Sequence, residues 1–163
     1  MPIDDPVLRQ RYSFSRREDV LEVELWVDPG GGVTPHIHPS LEERFEVLAG
    51  RPSFLSGRTW SEAAPGDTVV VPPGTRHAYR NRGDEVAHIR CEASPPMALQ
   101  QFLEEVAELS RAGRIMRPGL PRTPAGLLDA AALAKRHRDT VVLLMPPLFV
   151  QRLLMDPLAR LRR

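Results

Sequence analysis

Between residues 21 and 27 the chain alternates strictly, with Leu21, Val23, Leu25 and Val27 interleaved by Glu22, Glu24 and Trp26. A period of two puts the two sets on opposite faces of a strand, so this segment reads as a strand with one buried face. Residues 42–48 repeat the pattern, with Glu43, Phe45 and Val47 on one face and Glu42, Arg44 and Glu46 on the other. Shorter runs at residues 52–55, 60–62, 67–71, 77–81 and 86–93 are set off by Gly50, Gly57, Gly66, Gly74 and Gly83. A further turn cluster, Asp-Pro-Gly-Gly-Gly, occupies residues 28–32. Many short strands joined by tight turns predict an antiparallel sandwich or barrel.

The period changes after Pro96. Phe102, Leu103, Val106 and Leu109 recur at helical spacing, with Glu104, Glu105 and Glu108 elsewhere, which predicts a helix over residues 97–110 that stops near Gly113. Residues 114–123 hold two prolines and a glycine and read as a linker. Thr123 followed by Pro124 is a cap with proline in the first turn, opening a second helix expected to run to about Arg138. A third could start at Pro147. The charge shifts at the same place. Residues 1–95 carry 11 Arg/Lys against 15 Asp/Glu, and residues 96–163 carry 11 against 6. Both changes place a boundary near residues 94–96, dividing the chain into residues 1–94 and a helical extension, residues 95–163.

With 42% hydrophobic and 26% charged residues, the chain has the composition of an ordinary globular protein. Its one cysteine, Cys91, excludes an internal disulfide framework. The first twenty residues mix acids, prolines and arginines without an apolar run, so no secretory signal is expected and the expected location is cytoplasmic. The longest apolar stretch, residues 141–150, is interrupted by Pro146 and Pro147 and is too short to span a bilayer.

Chemistry concentrates in four residues. His36 and His38 are at i and i+2, so on a strand both rings leave the same face. Glu43 shares its face with Phe45 and Val47, whereas Glu42 falls with the charged residues, so parity selects Glu43 as a carboxylate partner. His77 follows Pro72-Pro73-Gly74, which turns the chain into a new strand. The distant histidine can meet the pair only if the sheet curls over on itself. Three imidazoles and a carboxylate form the ligand set of a mononuclear metal site with open positions, suited to one divalent ion such as Fe(II), Mn(II), Ni(II), Co(II) or Zn(II).

These residues lie in two spacing patterns that resemble the motifs of the cupin family. The first, G-x5-H-x-H-x(3,4)-E-x6-G, is met by Gly30, His36, His38, Glu43 and Gly50. The second, G-x5-P-x-G-x2-H-x3-N, is met by Gly66, Pro72, Gly74, His77 and Asn81. Every specified position is filled in order, across roughly residues 12–93. The resemblance implies a mainly β fold, a double-stranded β-helix or jelly-roll barrel followed here by two or three helices. It also implies that His36, His38, Glu43 and His77 are the metal ligands. The glycines, prolines and Asn81 are expected to shape turns and close the barrel.

Parity nominates further residues for the cavity. Tyr79 shares a face with His77 and Asn81, so its hydroxyl is a candidate to orient a substrate or donate a proton, against the plainer reading of a buried, hydrogen-bonded tyrosine. Phe45 and Val47, with Val69 or Val71, should make the wall apolar, as substrate pockets usually are. Cys91 is expected to be buried, His88 to face solvent, and His137 to complement the dipole at a basic helix end. The extension carries an amphipathic basic stretch over residues 148–163, but Pro157 interrupts it, so packing is preferred to membrane-surface contact. Scattered basic residues without interleaved aromatics argue against nucleic acid. The expected partners are a small-molecule substrate and a second copy of the chain. The expected activity is oxygenase-type or Lewis-acid isomerase or cyclase chemistry, with a non-catalytic ligand-binding module as the competing class.

Overall fold

Glycine-punctuated alternation folds into two facing antiparallel sheets in the computed structural model, which describes residues 1–117 and 119–144. Ten strands come first: β1 (Ile3–Asp5), β2 (Gln10–Arg17), β3 (Val20–Val27), β4 (His36–Ile37), β5 (Glu42–Ala49), β6 (Ser53–Ser56), β7 (Thr59–Glu62), β8 (Thr68–Val71), β9 (His77–Arg80) and β10 (Ala87–Ser94). Then follow α1 (Leu99–Arg111), a hairpin of β11 (Ile115–Met116) and β12 (Leu120–Pro121), α2 (Pro124–Arg136) and β13 (Val142–Leu143). The third helix expected from Pro147 lies outside the described residues.

One sheet has the order β1-β2-β3-β10-β5-β8 and the other β13-β4-β9-β6-β7. Non-consecutive neighbours in both sheets are the signature of a jelly roll rather than a meander. Register follows parity. In the first sheet Val23 pairs with Cys91 and Cys91 with Phe45, while Leu25 pairs with Ile89 and Ile89 with Val47. All six are buried. The second sheet answers with Phe54 and Tyr79, whose rings meet Phe45 with centroids 5.3 and 6.0 Å away. The barrel interior is therefore a layer of aromatic and branched side chains between the sheets.

Several sequence expectations need adjusting. The strands begin earlier than expected: β2 places Tyr12 in the core, fully buried, with its hydroxyl donating to the Leu103 carbonyl of α1 at 2.9 Å. The expected linker over residues 114–123 instead contains the β11–β12 hairpin, which buries Ile115. Thr123 caps α2 as expected, its Oγ1 accepting from the Gly126 amide at 2.9 Å. Helix α2 stops at Arg136, and the extension then returns to the barrel, where β13 pairs with β4. His88 does face outward, but it is half-buried, stacked on Trp26 and paired with Glu24. His137 does end α2, as its C-cap, but it is also buried, edge-on to Phe102, with Nε2 3.3 Å from Glu105. Periodicity could not show this, because the cover comes from α1. Among the described residues no helix is long and apolar enough to cross a membrane.

The core assignment predicts unequal costs for apolar truncations. Ile89→Ala, at a fully buried position between β3 and β5, should lower unfolding stability by about 2–5 kcal/mol. Val70→Ala, at an exposed position on β8, should stay within about 0.5 kcal/mol. Urea unfolding of the two variants beside the parent chain measures both.

Candidate metal centre

The site begins as a backbone register. Antiparallel pairing of β4 with β9 sets His36 directly opposite His77, so residues 41 positions apart in the chain become cross-strand neighbours with ring centroids 4.2 Å apart. His38 follows the end of β4, its ring 4.9 Å from that of His36 and 5.0 Å from that of His77. The Gly74 amide donates to the His38 carbonyl at 2.8 Å, which ties the Pro-Pro-Gly turn before His77 to the end of the His-x-His segment. Entry to this segment requires a glycine at residue 32. Gly32 has φ near 140°, and a Cβ there would lie 2.4 Å from the Tyr79 carbonyl oxygen.

Glu43 arrives from the other sheet, on β5, opposite Val71 of β8 and Ala93 of β10. It is 6% exposed, whereas Glu42 is exposed, as parity required. One ligand atom from each of His36, His38, Glu43 and His77 lies within 4.8 Å of the others, so the four could hold a metal ion. Donors about 2.1 Å from a common ion stand about 3 Å apart when adjacent and about 4 Å apart when opposite, so closing on an ion takes only small movements.

Proton placement supplies the stronger argument. Each histidine commits Nδ1 to a backbone carbonyl: His36 to Thr34 at 2.8 Å, His38 to Thr140 at 2.7 Å and His77 to Thr75 at 2.9 Å. A carbonyl only accepts, so each Nδ1 carries a proton, and a ring that is neutral then turns its Nε2 lone pair to the centre. The Glu43 carboxylate Oε2 lies 2.7 Å from His77 Nε2 and 3.4 Å from His38 Nε2. None of these three atoms has a well-aligned hydrogen-bond partner, although all are fully buried. Lone pairs facing a carboxylate at such distances repel unless a positive charge sits among them. That charge is either a proton or a metal ion, and burial makes its absence costly.

The electrostatics follow from the same geometry. Burial, reinforced by His77 and His38, lowers the His36 pKa to about 3, so its ring stays neutral. Burial also opposes charge on His38 and Glu43, but their mutual attraction outweighs it. His38 is raised above an ordinary histidine, and Glu43, facing both His38 and His77, is held below the usual carboxylate range. Without a metal, His38 is therefore where a proton is retained.

The other candidate residues lie inside the barrel. Phe45 and Val47 are buried on β5, in phase with Glu43. Tyr79 is buried on β9, in phase with His77, and its hydroxyl donates to Gln10 Oε1 at 2.7 Å. Its partner is thus a side chain rather than the backbone. Cys91 is buried, with Sγ 3.8 Å from Glu43 Oε1. Asn81 braces a turn, donating to the Val27 and Glu85 carbonyls at 2.9 and 2.7 Å. Sequence reasoning missed Gln10, although it is in phase with Tyr12 and Phe14 on β2. It also missed the carbonyls of Thr34, Thr75 and Thr140, which no side-chain pattern reports.

A family model described as a cupin domain matches residues 24–91. An uncharacterized protein of Methanocaldococcus jannaschii is 33% identical over 73 residues, which are 45% of this chain and 58% of that protein. The chain thus spans less than two thirds of that relative's length. Among solved structures, a conserved protein with a double-stranded β-helix domain from Klebsiella pneumoniae has TM-score 0.50 at 22% identity, covering 53% of this chain and 73% of its own. A sugar phosphate isomerase of the cupin superfamily from Silicibacter pomeroyi has TM-score 0.51 at 18% identity, covering 54% and 60%. An RmlC-like cupin from Shewanella frigidimarina has TM-score 0.50 at 18% identity, covering 54% and 78%. Likeness at these identities shows the fold alone.

Two outcomes follow from the donor arrangement. His36→Ala, His77→Ala and Glu43→Ala should each strip most of the bound divalent metal, while Glu42→Ala leaves it in place, as read by elemental analysis after reconstitution. Metal affinity should be greatest above the raised pKa of His38 and should weaken as pH falls through it, because proton and ion compete for Nε2. Calorimetric titrations in buffers of different ionisation enthalpy should register the displaced proton.

Proposed function

Because residues 24–91 form a cupin-superfamily domain around a convergent donor set, we propose that this chain is a metal-dependent enzyme acting on a small organic molecule. One observation carries the reading. Three imidazoles, each with Nδ1 committed to a backbone carbonyl and Nε2 left as the ligating nitrogen, meet one carboxylate at a buried point that requires a positive charge. His36, His38, Glu43 and His77 would hold one divalent transition ion, which when bound supplies Lewis acidity or, for a redox-active ion, electron transfer to a coordinated substrate or to dioxygen. An octahedral ion held by these four donors would keep room for an exchangeable ligand, whereas a tetrahedral one would be filled by them.

The chain's own groups then define what surrounds the ion. The Nδ1 hydrogen bonds keep all three rings in the ligating tautomer and fix their orientation. Phe45, Phe54 and Val47 exclude water from the interior beside Glu43. Tyr79 is the candidate polar group of the wall. Its hydroxyl proton is already given to Gln10, so it acts on a substrate only by exchanging that partner.

The commitment of Tyr79 to Gln10 favours a second reading, a module that captures a small ligand at the metal without turning it over. The choice is experimental. Protein purified without chelator should contain about one divalent ion per chain, and no retained metal after reconstitution would sink both readings. Oxygen uptake with a redox-active ion marks oxygenase chemistry, and anaerobic turnover with Zn(II) marks the Lewis-acid form. Ligand capture without product leaves the binding module. Tyr79→Phe should keep the metal in every case and should lower turnover by about 10-fold or more only if the hydroxyl takes part in proton transfer.

A further inference from the structure

The three histidines are oriented alike but not from equivalent places. His36 and His77 each donate Nδ1 to the carbonyl two residues earlier, Thr34 and Thr75, so their own turns hold them. His38 instead donates to Thr140, 102 residues away and outside the barrel strands that carry the other ligands. Thr140 is itself buried and held from several sides. Its amide donates to the His137 carbonyl at 2.8 Å, and its Oγ1 lies 3.4 Å from the Ala98 amide at the start of α1. His137 is in turn fixed against Phe102 and Glu105 of α1. Immediately beyond Thr140, β13 pairs with the strand bearing the first ligand, Val142 opposite Ile37 and Leu143 opposite His36, and the Leu144 amide reaches the Pro35 carbonyl at 3.4 Å.

We propose that residues 137–144 are a positioning element of the metal centre, so that docking of this segment and metal binding are thermodynamically coupled. The inference rests on the metal-site reading above and adds what that reading lacks, a role for the carboxy-terminal extension. The coupling has a defined physical path. When β13 leaves β4, the Thr140 carbonyl leaves with it, and His38 loses the acceptor that fixes its tautomer and ring angle. Nε2 is then free to carry the proton and turns from a ligand into a donor toward Glu43. Reciprocally, an ion that demands a bare His38 Nε2 places the proton on Nδ1, where Thr140 is the acceptor, and so favours the docked segment. Linkage requires the two effects to be equal in size.

The test uses the full-length chain with Zn(II) and Co(II) as probes. In the parent protein, saturating metal should slow amide hydrogen exchange over residues 140–144 more than over the distant β7 strand. In Val142→Pro, which removes an N–H from β13, metal affinity should fall about 10–100-fold, the range expected when an outer partner of a ligating histidine is lost. The visible spectrum of bound Co(II) should change with it. Thr140→Ala removes the Oγ1 contact with α1 and should weaken metal by less, with Thr140→Ser restoring it. A parent protein that binds no metal overturns the underlying site. A parent that binds metal while exchange over residues 140–144 stays the same with and without it overturns the coupling alone. So does a folded Val142→Pro with unchanged affinity. If Val142→Pro does not fold, the exchange result decides the question without a variant.

Discussion

The pairing of β4 with β9 is the constraint on which the metal centre depends. It sets His36 across from His77, brings the Pro-Pro-Gly turn back to His38, and leaves the three rings facing one point. An antiparallel register cannot slip by one residue without sending side chains to the other face of the sheet. Here such a slip would separate the two motifs that carry the histidines. Gly32 is part of the same constraint, because the chain enters β4 so close to Tyr79 that a side chain has no room.

Around that register the protein concentrates an unfavourable arrangement and stabilises it from outside. Buried lone pairs and a carboxylate face one another without aligned hydrogen bonds, while every Nδ1 is satisfied by a backbone carbonyl. The hydrophobic layer of Phe45, Phe54, Ile89 and their neighbours supplies the favourable burial that lets the fold tolerate this charge-demanding point. Preorganisation of this kind suits a site whose ligands must not rearrange when an ion arrives. The extension takes part rather than merely following the barrel, since Thr140 serves His38 and β13 completes the sheet that carries His36.

Much of this was legible along the chain, for identifiable reasons. Strand parity chose Glu43 over Glu42 because a half-buried sheet must put alternate residues in different solvents, and the observed burial of the two agrees. The buried faces of β3, β5 and β10 follow the same logic. By contrast, the apolar signal of β2 is thin, because only Tyr12 and Phe14 mark its inner face among polar neighbours. The β11–β12 hairpin resembles a linker in sequence because two-residue strands leave no periodicity. His137 reads only as part of a basic helix end, because that end shows its own charge pattern but not the helix that packs over it.

The amino-acid sequence by itself determined the kind of sheet, its inward faces, and the four residues that could serve one ion, because each of these depends on local spacing and side-chain type. Only the tertiary structure decided which nitrogen of each ring is free, since that depends on carbonyls, and a backbone carbonyl looks the same at every position of a sequence. It also decided that His38 depends on Thr140. A hydrogen bond across 102 residues has no local signature and exists only once the sheets have closed and the extension has folded back onto them.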